Sequence, residues 1–273
     1  MSLTILPGDC VEQMRTLPAD TVQLCVTSPP YDGLRTYGGD CQWDFQATAL
    51  ELYRVLVPGG VVCWNVGDST LDGSETLTSC KQKIFFREQA GFIIHDTMIW
   101  QKVHVAAPNA RHYHQMFEYI FVLGKGRITT FNPLVDKPNK FAGAAPFSYN
   151  SKRLVNGDIK RTREQADRGV IADFGRRSNV WTGNSRAQES PCQTLPHPAM
   201  MPKWLARDLI LSFSNPGDTV LDPFLGSGTA AIAALETGRN AIGIEISEEY
   251  CALARQLCHV TPGLALQETF APD

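Results

Sequence analysis

Two rhythms of apolar residues run along this chain. Short apolar runs at 3–6, 22–26, 61–66, 94–102, 117–123, 219–221 and 240–244 have the length and residue types of buried strands. Between them, apolar residues recur every three or four positions. Val11, Met14 and Leu17 mark one face of a helix that follows Pro7-Gly8-Asp9, with Asp9 as its N-cap. Ala49, Leu52, Tyr53 and Leu56 mark a helix over 46–57, and Pro58-Gly59-Gly60 predicts its stop. Further helices are predicted over 75–90, 203–213, 230–236 and 247–258. Strands that alternate with helices in this way predict an α/β protein built on an open, mostly parallel sheet.

The rhythm breaks between 125 and 189. Gly, Pro, Asn and Arg dominate there, with isolated aromatics such as Phe131, Phe141, Tyr149 and Trp181. The stretch is too long for a plain loop in a compact domain and reads as an insert. The expected organisation is therefore 1–124 and 191–273 as two halves of one domain, with 125–190 inserted between them. Charge supports the division. The whole chain carries a net charge of -3, yet residues 125–190 hold 13 Lys/Arg against 6 Asp/Glu. A basic middle in an acidic chain is the footprint of a polyanion partner. Arg153, Lys160, Arg161, Arg163, Arg176 and Arg177 are the candidate contacts.

Composition is that of a globular protein, 43% apolar and 19% charged. No apolar run has the length of a membrane span, and the first residues carry no basic-then-apolar leader, so a cytoplasmic location without membrane contact is expected. Eight scattered cysteines form no CxxC pair. They read as buried reduced thiols rather than a disulfide framework or a zinc site, and no metal is expected. His104, His112 and His114 lack ligand spacing and read as loop or substrate contacts.

Candidate chemistry concentrates in two stretches. The first is Thr27-Ser28-Pro29-Pro30-Tyr31, where two prolines end the strand over 22–26. As a bare sequence this is also ordinary turn chemistry. Its groups nonetheless suit a planar amine. The Ser28 hydroxyl and Pro29 carbonyl can accept from an NH2 group, and Tyr31 can stack on the ring that bears it. The second is Asp222-Pro223-Phe224-Leu225-Gly226-Ser227-Gly228-Thr229, a strand end, a glycine turn and a helix start. It is neither GxGxxG nor a P-loop. Asp222 favours a cationic group over a pyrophosphate, and Glu245 ends the next strand where a ribose diol sits in a nucleoside site. S-adenosylmethionine has an amino group, a carboxylate and a ribose, and fits these features.

Taken together, TSPPY, the basic insert, HPAMMP and DPFLGSGT, in that order, resemble a DNA amino-methyltransferase of the permuted β class. LVPGG, VLDPF and GIEISEEY add to the likeness. The resemblance implies a Rossmann-like S-adenosylmethionine-dependent methyltransferase fold, circularly permuted, with a seven-stranded sheet holding one antiparallel strand. It implies an inserted target recognition region at 125–190. By the same resemblance Ser28, Pro29, Pro30 and Tyr31 form the catalytic loop for a flipped base. Asp222 takes the cofactor's amino group and Glu245 its ribose hydroxyls. Pro223, Phe224, Gly226, Ser227, Gly228, Thr229 and His197 line the cofactor, with Thr27 and Ile246 beside them and Asp9 and Cys10 toward the adenine.

The implied partner is double-stranded DNA. A homodimer is left open, as is a cognate restriction endonuclease without a stable complex, and the setting is bacterial, archaeal or phage-encoded. Ser in the first motif position leans toward N4 of cytosine, with N6 of adenine the alternative. Pro191-Cys192-Gln193 spells the PCQ of C5-cytosine enzymes, but it lacks a preceding strand, and no Glu-Asn-Val acid accompanies it. A dehydrogenase is disfavoured by the missing GxGxxG. RNA and protein-glutamine methyltransferases usually place the cofactor loop first. An inactive DNA-binding scaffold is disfavoured by the intact TSPPY, Asp222 and Glu245.

Overall fold

The computed structural model describes residues 1–30, 43–103, 113–144, 150–162, 170–184, 201–259 and 267–268. The chain opens with β1 (Ser2–Pro7), α1 (Cys10–Thr16), β2 (Val22–Thr27), α2 (Phe45–Val55) and β3 (Leu56–Val66). A small hairpin of β4 (Thr70–Leu71) and β5 (Ser74–Glu75) precedes α3 (Thr78–Glu88), β6 (Ile93–Lys102) and β7 (Phe117–Gly124). Four short strands follow, β8 (Lys137–Pro138), β9 (Asn150–Arg153), β10 (Ile159–Thr162) and β11 (Phe174–Gly175). The rest is β12 (Val180–Gly183), α4 (Lys203–Phe213), β13 (Thr219–Asp222), α5 (Thr229–Glu236), β14 (Asn240–Glu245), α6 (Glu248–His259) and β15 (Gln267–Glu268).

The chain divides into two compact units, Met1–Asn132 with Asn179–Asp273, and Pro133–Ser178. The larger unit holds a nine-stranded sheet in the order β12-β6-β7-β3-β2-β13-β14-β1-β15. Among its described strands, only β7 runs antiparallel to its neighbours, β3 and β6. The seven strands expected from the sequence are its centre, and the short β12 and β15 extend its edges. Val180–Gly183, inside the basic stretch of the sequence, pairs with β6 in this sheet.

One face of the sheet is covered by α1, α2 and α3. Met14, Leu52 and Val55 from the helices pack there with Trp64, Phe86, Phe92 and Leu221 in one apolar cluster. Cutting any one of these large side chains to Ala costs about 2–5 kcal/mol. The other face carries α4 and α5. The inward face of α4 is Leu205, Leu209 and Ile210, and α5 is buried from Ala230 to Leu235. This Ala-rich helix can lie deep because it has almost no side-chain bulk to accommodate.

Two boundaries differ from the sequence reading. The helix expected to end at Pro58-Gly59-Gly60 ends at Val55, and these residues belong to β3. They form an irregularity where the β2–β3 register shifts. Gly59 sits at φ +83, and a Cβ on Gly60 would meet the Val57 carbonyl at 2.9 Å, so the glycines serve a kinked strand rather than a helix stop. The helix expected over 75–90 starts later, at Thr78, because Ser74–Glu75 pair with Thr70–Leu71.

The topology places the ligand crevice. β2 leads through α2 to β3 on one side, while β13 leads through α5 to β14 on the other. The carboxyl ends of β2 and β13 are thus the switch point of a doubly wound sheet, where such folds meet their ligands. The smaller unit contains two antiparallel pairs, β9 with β10 and β8 with β11.

Candidate active site

The crevice is built from strand ends. Thr27 closes β2 and Asp222 closes β13, the strand beside it. Thr27 Oγ1 donates to Asp222 Oδ1 at 2.6 Å, and the Phe224 amide donates to the same oxygen at 3.1 Å. Asp222 is buried, and burial pushes its carboxyl up to about 6. The two hydrogen bonds oppose that rise, and the nearby Glu245 adds to it. A buried carboxylate at a switch point, with no cation paired to it among the described residues, is a candidate functional group.

From Asp222 the chain turns through Pro223–Gly228 into α5. Leu225 N donates to the Ile244 carbonyl at 2.9 Å, which ties the turn to β14. Gly228 is the N-cap of α5 at φ +87, and a Cβ there would lie 3.1 Å from that of Ala254. A side chain at this point is doubly disfavoured, by backbone conformation and by α6. Ser227 is buried within the turn.

Glu245 closes β14 on the far side of the turn. Its Oε2 accepts from the Gly226 amide at 2.8 Å, and its Oε1 from the Ser247 amide at 2.9 Å. The carboxylate is therefore fixed in orientation, and each oxygen keeps a lone pair for a ligand hydroxyl. Beside it, Gly8 N donates to the Glu245 carbonyl at 2.9 Å, which brings the β1 end to the same edge. Asp9 caps α1, accepting from the Val11 and Glu12 amides at 2.9 and 3.1 Å. Cys10 is buried against Thr48, with its thiol raised to about 11 chiefly by burial. Ile246 is 59% exposed, an apolar surface beside Glu245.

The sheet thus gathers Asp9, Cys10, Thr27, Asp222 to Thr229, Glu245 and Ile246 along one run of strand ends. Ser28, Pro29 and Pro30 leave β2 next to Thr27, with Pro29 buried and the other two half-buried. Tyr31, His197 and Arg163 lie outside the described residues, as does Cys192. The side chains of Arg153, Lys160 and Arg161, in β9 and β10, also fall outside them. In the smaller unit Arg176 is exposed, while Arg177 forms a two-point ion pair with Asp136. That pairing holds the Asp136 carboxyl below its ordinary range.

Two groups escaped the sequence reading. Trp43 packs edge-on to Phe224, with ring centroids 4.9 Å apart, and continues to Trp64 and Phe45. Phe224 is thereby held by an aromatic wall contributed by Trp43, just ahead of α2, and by Trp64 of β3. Asn65, Glu118 and Lys102 form a polar row inside the sheet. A polar residue inside each of the apolar runs 61–66 and 117–123 was the available signal. Among the described residues no cluster of His, Cys, Asp and Glu could hold a metal ion. Nor is any described helix long and apolar enough to cross a membrane.

Fold and site together define a Rossmann-like α/β protein with two strand-end carboxylates, Asp222 and Glu245, beside its switch point. The N6_N4_Mtase family of DNA methylases matches residues 22–256, and the chain belongs to this family. It is similar to the orphan methyltransferase M.BamHII of Bacillus amyloliquefaciens, at 44% identity over 255 residues, covering 91% of this chain and 89% of that one. Among solved structures it resembles TTHA0409 of Thermus thermophilus complexed with S-adenosyl-L-methionine. That likeness has a TM-score of 0.62 at 25% identity and covers 99% of this chain and 100% of the other. PvuII DNA methyltransferase (cytosine-N4-specific) shares the fold, with a TM-score of 0.67 at 17% identity over 97% of this chain and 89% of its own.

Proposed function

We propose that this DNA methyltransferase moves the methyl group of S-adenosylmethionine to N4 of a cytosine flipped out of double-stranded DNA. The observation that carries the reading is the Thr27–Asp222 hydrogen bond. It joins the residue before Ser28 to the acid that suits a cofactor ammonium, so donor and acceptor sites share one crevice.

The residues present fit the cofactor. Asp222 supplies a buried carboxylate for its ammonium, and Glu245 offers oriented oxygens for its ribose hydroxyls. Gly226 to Thr229 bring backbone close to its methionine end, with Pro223, Phe224 and Thr27 alongside, and His197 keeps the cofactor role that the resemblance implies. Asp9, Cys10 and Ile246 take the adenine side. When bound, the cofactor supplies an electrophilic methyl on a sulfonium. The protein's task is then to orient the amine. Its lone pair is delocalised into the base and poorly nucleophilic. Two acceptors on its protons, Ser28 Oγ and the Pro29 carbonyl, favour the pyramidal form and free that lone pair for in-line attack, and the proton that the amine then sheds passes to solvent. Holding the partners in line is a proximity effect. Extrusion of the base costs pairing and stacking. Stacking on Tyr31 offsets about 1–3 kcal/mol of it.

Pro133–Ser178, a compact unit with a basic surplus, serves as the target recognition region in this reading. Arg153, Lys160, Arg161, Arg163, Arg176 and Arg177 are its phosphate contacts. Adenine N6 is the second reading, because the family joins N6 and N4 enzymes. The test is transfer of labelled methyl to unmodified duplex DNA, digested to nucleosides. N4-methylcytosine is the expected product. N6-methyladenine would replace only the base, and 5-methylcytosine would overturn the mechanism.

A further inference from the structure

The roles above leave the polar row inside the sheet unused. Asn65, on β3, is fully buried. Its Nδ2 donates to Glu118 Oε2 at 3.0 Å and to the Tyr119 carbonyl at 3.1 Å. Both partners are acceptors, so the amide is held one way round, with Oδ1 turned away from them. That buried oxygen has no hydrogen-bond partner among the described residues. Glu118 is itself buried and fixed by an ion pair with Lys102 of β6. Buried acceptors are rarely left unmet, so a donor is expected to reach Oδ1 in the working enzyme.

The sheet register points to the donor. Thr27 pairs with Trp64 across the parallel β2–β3 ladder. β2 ends at Thr27, and continuing its register by one residue would set Ser28 alongside Asn65. Paired residues of parallel strands point the same way and successive ones alternate, so that continuation would put the two side chains on one face. The chemistry needs such a partner. An NH2 group offers Ser28 only donors, so the serine must accept, and its own hydroxyl hydrogen must be placed on another acceptor.

We propose that Asn65 Oδ1 accepts a hydrogen bond from the Ser28 hydroxyl when the target amine docks, so that Lys102, Glu118 and Asn65 aim the lone pairs of Ser28 at the amine. The inference rests on the proposed reaction and adds three positioning residues that act through Ser28. Chains of buried hydrogen bonds polarise one another, and the Lys102–Glu118 pair anchors this one at its far end.

A double-mutant cycle tests it. Single-turnover transfer of labelled methyl to unmodified duplex DNA is measured for wild type, Ser28→Ala, Asn65→Ala and the double variant. Calorimetric S-adenosylmethionine affinity is measured for each. Asn65→Ala is expected to slow transfer on the order of ten- to a hundredfold, with cofactor affinity within about twofold of wild type. The double variant is expected to be no slower than Ser28→Ala alone, since a residue acting through the serine loses nothing more once the hydroxyl is gone. A structural role for Asn65 would multiply the two losses instead. Multiplied losses, or an Asn65→Ala rate within about threefold of wild type, would overturn the proposal while leaving the reaction intact. Wild type that transfers no methyl to DNA would overturn both. Should Asn65→Ala not fold, Glu118→Gln enters the same cycle with the same expectation.

Discussion

Asp222 makes its prediction through pH. Its carboxyl is raised by burial to about 6, and in the proposed reading the cofactor's ammonium pairs with the ionised form. Affinity for S-adenosylmethionine should therefore fall as pH drops through about 6, approaching tenfold per unit below it. The cofactor's own amino group loses its proton near pH 8, so a plateau is expected between about 6.5 and 7.5. Stability follows the same group. Because the folded pKa is raised, the native state holds the proton more tightly than the unfolded chain. Stability then declines as pH climbs from the unfolded value of 3.8 to about 6, and stays lower above it. A shift of roughly two units corresponds to about 3 kcal/mol at most. Asp222→Asn should remove the acid limb of cofactor binding. It should also stabilise the cofactor-free protein at pH 7.5 by about 1–3 kcal/mol, the lower end reflecting weakened bonds from Thr27 and the Phe224 amide. Thr27→Val removes a bond that favours the ionised form, so its acid limb should move to higher pH. Calorimetric titrations from pH 5 to 7.5 on the three proteins, with thermal melts, provide the check. Flat wild-type affinity across that range, or an acid limb that survives Asp222→Asn, would refute the reasoning.

Three further outcomes follow from the site. Ser28→Ala should reduce methyl transfer while leaving S-adenosylmethionine affinity nearly intact, and an equal loss of both in kinetics and calorimetry would remove Ser28 from the amine. Gly228→Ala forces a left-handed φ on a residue with a Cβ, 3.1 Å from that of Ala254. A loss of about 1–3 kcal/mol in denaturant unfolding, with weaker cofactor binding, is expected. Arg176→Glu with Arg177→Glu should weaken DNA binding and flatten its dependence on salt concentration. An unchanged slope would take both residues out of the interface.

Legibility of the chain followed physical locality. The strands and the site loops were readable because each rests on residues close in sequence. An apolar run ended by Pro29-Pro30 and a strand followed by Gly226-Ser227-Gly228 carry their own signals. The kink at Gly59-Gly60 was misread because a Pro-Gly-Gly after a helix and one inside a strand look alike. What separates them is the neighbouring β2 ladder and the Lys125 backbone, which arrives from about 65 residues away and exchanges hydrogen bonds with both glycines. The aromatic wall behind Phe224 escaped for the same reason, and the polar residues inside the runs 61–66 and 117–123 gave no sign that they would meet as the Asn65–Glu118–Lys102 row. Each gathers residues from separate elements, and no local spacing encodes which strands become neighbours.

That non-local assembly also bears on how the two halves of the reaction communicate. In the proposed site Thr27 adjoins the loop assigned to the base, and Asp222, 195 residues later, opens the loop assigned to the cofactor. The parallel pairing of β2 with β13 is what brings them to 2.6 Å. Ionisation of Asp222 strengthens the bond that Thr27 donates, and a cofactor ammonium favours ionisation. Loading the cofactor should therefore tighten the anchor immediately before Ser28. Thr27→Val should then cost more in methyl-transfer rate than in cofactor affinity, by a ratio that single-turnover kinetics set against calorimetry can read. Loss in affinity alone would mean that Thr27 only tunes the acid, and that the two loops share a crevice without sharing a state.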